Sequence, residues 1–489
     1  MAERARLLEG GLVVDGSGGP SWRGDVLLVG DRIERLGADL RTRLPVDLAI
    51  DDIDVVDCRA LAIAPGFIDA HTHDDALVLR DPDCLPKLSQ GITTVVTGNC
   101  GISLAPFATP QARPPLTLLG ADSFRHATMA SYRDAVRDAR PALNVAALIG
   151  HTTLRYAAMS DLTRAASSGE RARMAALLDE SMGAGAHGMS SGLFYEEAYP
   201  APADEVTALA CVVARHGGVY ATHLRSEMET ILEAMHEAAN CAFEAGLPLV
   251  LSHHKCAGPA NWGRTRTTLP LIEQFAQRQA IALDAYPYVA GSTVLREDLV
   301  DGVIDVMLTW SDTHPELGGR LLADIAAEWG VDQKTVCRRL QPGGACYFQM
   351  NEDDVRRVLA HPRSMIGSDG LPHDRHPHPR LWGAFPRVLA RYWREQQLFS
   401  MEEAVRKMTG LSARNFRLRE RGEIRAGWFA DVVVFDPARV RDVATYDAPL
   451  ERSEGIERVY VNGRLGFTRE ASSPHQRAGR VLLRHGASA

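Results

Sequence analysis

The sequence has no apolar run of transmembrane length, and its opening Met-Ala-Glu-Arg-Ala-Arg-Leu-Leu-Glu-Gly-Gly carries no signal-peptide core. It has no basic block either. Its 54 basic residues face 62 acidic ones, a net charge of −8, which makes nucleic acid and anionic membrane poor partners. Eight cysteines are scattered without a framework spacing, as suits a reduced cytoplasm where most serve as small buried hydrophobes. No Gly-rich phosphate turn follows any strand-like run, which argues against a doubly wound nucleotide-binding sheet. These absences predict a soluble cytoplasmic protein whose partner is a small molecule; its oligomeric state is open.

What is present has two rhythms. At 489 residues the chain exceeds one ordinary domain. Residues 8–62 alternate short apolar runs with turn signals, and the same hairpin grammar returns in Ala430–Asp436 and Val459–Gly463. The middle instead alternates apolar strands, at 63–73, 92–100, 144–151, 185–192, 218–227, 248–255, 280–288 and 364–370, with amphipathic stretches such as Arg171–Met182, Ala203–His216 and Met228–Ala245. Eight such units predict a (β/α)8 TIM-like barrel over 63–419, beside a small β-sandwich domain built from 1–62 and 420–489. About 75 residues separate the seventh and eighth strands, too many for a plain connection. Residues 289–363 are therefore expected to form an insertion acting as a lid.

Barrel enzymes carry their working residues at the C-terminal strand ends. Reading only those ends gives His71 and His73 in Pro65-Gly66-Phe67-Ile68-Asp69-Ala70-His71-Thr72-His73, then Cys100, His223, the pair His253 and His254, and Asp369. Alternation of strand side chains sends His71 and His73 to one side and turns His254 away from His253. A thiolate, imidazoles and one open position suit a catalytic zinc, which polarises a carbonyl and lowers the pKa of water towards ~7. Asp369, acceptor-only when ionised, is the expected general base and then acid.

The motifs around these residues, Ala64–His73, Gly98-Asn99-Cys100-Gly101, Ser252-His253-His254-Lys255 and Gly367-Ser368-Asp369-Gly370-Leu371-Pro372-His373, resemble the N-acyl-D-amino acid deacylases (D-aminoacylases) of the amidohydrolase superfamily. The resemblance spans essentially the whole chain. It implies zinc-dependent hydrolysis of the amide of N-acyl-D-amino acids. One zinc would be held tightly by Cys100, His223 and His253, and a weaker second metal would lie at His71 and His73, with Cys100 available to both. Lys255, Tyr286, Ser292 and Arg380 match positions that hold the substrate and its carboxylate. Phe194, Tyr347 and Met350 match positions around its side chain.

The side chain itself is open on residue grounds. Lys255, Arg380 and Tyr286 account for the α-carboxylate, leaving Arg296 to pair with a second one, which favours N-acyl-D-glutamate. Phe194 and Met350 suit D-methionine or D-leucine instead. Two further alternatives are weaker. A cyclic amidase of the superfamily would carry a metal-bridging lysine on strand four, and Ala184–Gly192 has none. A non-catalytic scaffold of the same fold would have lost ligands that this chain keeps.

Overall fold

Eight short parallel strands, β1 (Phe67–Asp69), β2 (Ile92–Thr97), β3 (Asn144–Gly150), β4 (Gly188–Gly192), β5 (Val219–His223), β6 (Leu249–Leu251), β7 (Ile281–Ala285) and β8 (Ser364–Ile366), pair in chain order in the computed structural model. It describes residues 5–43, 53–470, 474 and 476–486; the others, which the sequence assigns to the terminal domain, lie outside the description. The barrel nearly closes between β8 and β1. Ala70 N–H donates to Ile366 O at 3.2 Å, and Thr72 bridges Gly370. Its interior is filled by short and branched side chains, among them Ala70, Val96, Ala146, Val219, Ala221, Val250 and Ala282. Leu411, Phe416 and Leu418 plug the N-terminal ends of the strands. Small residues dominate because side chains from several strands meet on one axis.

The expected amphipathic stretches become helices Ser168–Gly183, Ala203–Arg215 and Ile231–Ala245. The first begins where it does because Ser167 and Glu170 form a reciprocal capping box. Among the described residues, no helix is long and apolar enough to cross a membrane.

The expected first strand, 63–73, is two strands. Ala62–Pro65 belongs to the terminal sheet, pairing antiparallel with Val432–Phe435, and only Phe67–Asp69 enters the barrel. Gly66 marks the change of sheet: a Cβ there would lie 2.2 Å from the Thr93 side chain. His71 and His73 therefore follow the strand rather than lie in it. Their alternation survives because Ala70 N–H turns to Ile366 and Thr72 N–H to Val96.

Strands from both chain ends form the second sheet, one eight-stranded ladder around a core that includes Leu8, Val26, Ile63, Val432 and Tyr460. The last described stretch departs from that assignment. Val481 bridges Val145 at the start of β3, and Leu482 O faces His187 Nε2 at 3.0 Å, so these residues lie under the barrel. Leu482 packs there against the barrel's interior core, an apolar contact that outweighs membership of the neighbouring sheet.

Between β7 and β8 the chain builds a three-stranded antiparallel sheet, Gly291–Val294, Gly343–Tyr347 and Val306–Ser311, with helices Leu322–Trp329 and Gln333–Arg339. It has its own core, including Leu308, Ile325, Val336 and Tyr347. The helix Glu352–Ala360 that follows packs on β8 and the helix Thr265–Ala276, so it belongs to the barrel wall.

Candidate metal centre

Three residues at the strand ends have a backbone that L-residues rarely adopt. Cys100, His253 and Asp369 have φ of 54°, 36° and 50°. Each such conformation costs on the order of 1–3 kcal/mol and persists where the surroundings over-determine it, typically at functional sites. Here the left-handed turn at each strand end aims a side chain back over the barrel mouth. Gly367, just before Asp369, is equally constrained, since a Cβ would sit 2.5 Å from that of His71.

The donor atoms converge. Cys100 Sγ lies 3.2 Å from His71 Nε2 and 3.3 Å from His253 Nε2, while His253 Nε2 lies 3.1 Å from His223 Nδ1. Two clusters share the thiol: Cys100, His223 and His253, and Cys100, His71, His73 and Asp369, with ligand atoms within 4.8 Å of one another in each. Zinc bonds of 2.0–2.3 Å set ligand-to-ligand edges of about 3.3–3.6 Å in a tetrahedron, close to the separations seen. One proton between the His253 and His223 nitrogens satisfies their 3.1 Å contact, and a cation bound there would take that proton's place. The residues fit a metal.

Electrostatics agrees. Burial alone would raise the Cys100 thiol, but His71 and His253 hold it well below its ordinary value, as a thiolate ligand requires. Burial would also raise Asp369; Arg380, His71 and His73 hold it well below the usual carboxylate range. His73 is pushed up to about 9: burial opposes the charge, but Asp369 and Cys100 outweigh it. Cys100 and Asp369 are thus held towards their anionic forms at one buried centre, the forms in which they could bind a cation.

Asp369 Oδ1 is 3.2 Å from His73 Nε2, and Oδ2 is 2.9 Å from Arg380 Nη1. The fully buried Arg380 also donates to Ser292 O at 3.2 Å and stacks 4.5 Å over the Tyr286 ring. Lys255 Nζ lies 2.7 Å from Glu227 Oε1 and 2.8 Å from His253 Nδ1. Lys255, Tyr286, Ser292, Phe194 and Tyr347 line one cavity with Cys100, His223, His253 and Asp369. His254 turns away, as expected, to Thr268 Oγ1 at 2.8 Å.

Two residues are placed differently. Arg296 does not line this cavity: its guanidinium pairs bidentately with Asp298 at 2.9 and 2.7 Å, and Nη1 donates to Phe194 O at 3.1 Å. Phe194 separates it from the site, with Arg296 4.3 Å over the ring and His223 stacked at 4.9 Å. The adjacent carboxylate wins because it is two residues away and costs no chain movement. Met350 sits behind Tyr286, its sulfur 4.0 Å from the phenol oxygen, in a separate small cavity. Tyr347 has a double position. Its ring faces the metal cavity, but its hydroxyl donates to Val294 O at 3.0 Å inside the insertion.

The sequence reading missed the supporting carboxylates. Asp284 lies 3.3 Å from His71 Nδ1 and accepts from His253 N–H at 2.9 Å. Its signal was an acid inside the otherwise apolar Ile281–Ala285. Glu227 lies 3.1 Å from His253 Nδ1, and its signal was a carboxylate four residues after His223. Lys87, fully buried, ties the turns after β1 and β8 together through Asp69 (2.9 Å), Ser368 Oγ (2.6 Å) and Asp74 (3.4 Å). Lys87→Met strands two buried carboxylates, and denaturant unfolding is expected to read a loss of about 3–5 kcal/mol.

Comparison with known proteins agrees with this geometry. The amidohydrolase family model matches residues 54–296 and 316–467. A D-aminoacylase of Alcaligenes xylosoxydans xylosoxydans is 50% identical over 98% of this chain and 97% of its own length. An N-acyl-D-glutamate deacylase of that organism is 47% identical, over 98% and 96%. The solved N-acyl-D-glutamate deacylase of Bordetella bronchiseptica, complexed with zinc and a phosphonate mimic of the tetrahedral intermediate, superposes with a TM-score of 0.92 at 44% identity, covering 98% of this chain and 99% of that one. With its barrel, its shared-thiol clusters and these relatives along its whole length, the chain belongs to the amidohydrolase family, in the group of the D-aminoacylases.

Proposed function

We propose that the chain is a zinc-dependent deacylase that hydrolyses the amide of N-acyl-D-amino acids to a carboxylate and a free D-amino acid. The observation carrying this reading is the Cys100–His223–His253 cluster with Asp369 at the same cavity. When bound, the metal supplies Lewis-acid polarisation of the acyl carbonyl and acidifies the attacking water. Asp369 takes that water's proton and delivers it to the leaving nitrogen. Arg380 fixes the carboxylate's orientation from its other oxygen. Lys255 and Tyr286 receive the substrate's α-carboxylate, and Ser292 bounds the same end of the cavity. A second, weaker metal fits His71, His73, Cys100 and Asp369. Because this cluster includes the base, excess zinc is expected to lower the rate of enzyme carrying one zinc per chain.

The side-chain end of the cavity, with Leu118, Phe194, Leu299, Tyr347 and Leu371, supports an apolar D-amino acid such as methionine or leucine. N-acyl-D-glutamate is the second reading, favoured by the proximity of Arg296 just across the Phe194 ring. Zinc-loaded protein is expected to hydrolyse N-acetyl-D-methionine faster than N-acetyl-D-glutamate and to leave N-acetyl-L-methionine intact. Arg296→Met should then affect both D substrates alike. A parent that prefers the glutamate compound, and loses that preference in Arg296→Met, would establish the second reading instead.

His71, Cys100, His223, His253 and Asp369 are all buried, and insertion residues 291–293, Leu299 and Tyr347 cover them. Movement of the insertion would widen the cavity for substrate. A bound D-amino acid is expected to protect residues 290–350 from protease, and unchanged cleavage would count against a lid.

A further inference from the structure

The histidines of the Cys100 cluster present different ring nitrogens to one another: Nδ1 from His223 and Nε2 from His253. A neutral imidazole has one N–H and one lone pair. If both facing nitrogens are to be ligands, His223 must carry its proton on Nε2 and His253 on Nδ1, which are opposite tautomers. Both protonated positions face one carboxylate. Glu227 Oε1 lies 3.1 Å from His253 Nδ1, and Oε2 lies 3.7 Å from His223 Nε2, which has no hydrogen-bond partner.

Lys255 places a second demand on the same carboxylate. Its Nζ lies 2.8 Å from the same His253 Nδ1. An ammonium donating there would drive the imidazole proton to Nε2, the nitrogen that faces Cys100, and remove the lone pair a metal needs. Glu227 Oε1, 2.7 Å from Lys255 Nζ, accepts that ammonium and leaves Nδ1 of His253 free to donate.

We propose that Glu227 is a positioning residue that fixes opposite tautomers in His223 and His253 and keeps Lys255 from reversing the second. The inference rests on the ligand assignment above and extends it to the group that sets the ligands. Asp284, 3.3 Å from His71 Nδ1, stands in the same relation to the other cluster. Partners of this kind orient metal ligands and typically carry 10–100-fold in metal affinity.

The test uses full-length protein and two readouts besides activity. In zinc-loaded parent, ¹⁵N-histidine NMR is expected to show Nε2–H on His223 and Nδ1–H on His253. Chelator competition is expected to give Glu227→Gln a zinc affinity roughly 10–100-fold below the parent. The double variant Glu227→Gln/Lys255→Met should still bind zinc more weakly than the parent, whereas Lys255→Met alone should hold zinc like the parent. Parental affinity in Glu227→Gln, or its return in the double variant, would overturn the proposal, the latter showing that Glu227 only neutralises Lys255. Coordination of both histidines through Nε2 would overturn it from the parent spectrum alone, even if Glu227→Gln does not fold. No zinc-dependent shift at either histidine would overturn the ligand assignment itself, a different spectrum from shifts on the wrong nitrogen.

Discussion

Asp369→Asn is expected to keep its zinc and lose roughly 10²–10⁴ in kcat, the usual contribution of a positioned general base. The substitution preserves shape and volume in a buried position held by His73 Nε2 and Arg380. It removes the one property the reaction needs, since an amide does not accept a proton near neutral pH. Metal analysis beside steady-state kinetics separates this from damage to the site. An Asp369→Asn protein with parental turnover would mean that the proton goes elsewhere. Loss of zinc together with activity would make Asp369 a ligand first and a base second.

Cys100→Ser is expected to lower zinc content and activity together. The thiolate is the one residue common to both clusters, 3.2 Å from His71 Nε2 and 3.3 Å from His253 Nε2. Serine offers a harder and much less acidic oxygen on the same backbone. The loss in zinc affinity should exceed the roughly 10–100-fold typical of removing an outer hydrogen-bond partner. His73→Ala provides the contrast: it lies outside the Cys100–His223–His253 cluster, so the tightly held zinc should remain. Full zinc and full activity in Cys100→Ser would rule out the thiolate as the shared ligand.

The cluster was legible because it obeys a rule about place: donor residues at the strand ends of a barrel meet at one height. Cys100, His223, His253 and Asp369 satisfy that rule one by one, although no pair of them is close in sequence. What the rule could not give is anything set by a turn. Cys100, His253 and Asp369 reach the centre through left-handed backbone, a conformation with no side-chain signature. Glu227 and Asp284 stayed hidden for another reason. Each leaves a trace, an acid inside an apolar strand and an acid four residues after His223, but neither trace names the histidine on another strand that the carboxylate faces. Arg296 is credited to substrate on sequence grounds, whereas in the structure Asp298, two residues on, pairs with its guanidinium and the Phe194 ring lies beside it. Helices fared better than strands. Ser168–Gly183 shows in the sequence as the stretch Arg171–Met182, whereas the split of the first strand depends on one glycine and a threonine from the next strand.

That split has a consequence for how the chain is made. Ala62–Pro65 finds its first neighbour early, because Leu12 and Val13 have already been synthesised, but its other edge pairs with Val432–Phe435 near the far end of the chain. Until those residues leave the ribosome, the segment that leads directly into β1 and on to His71 has an open, apolar edge. The barrel is thus expected not to fold when cut out alone. A gene fragment ending before residue 430 should yield chains that aggregate during expression, and adding the missing C-terminal strands in trans should recover soluble protein.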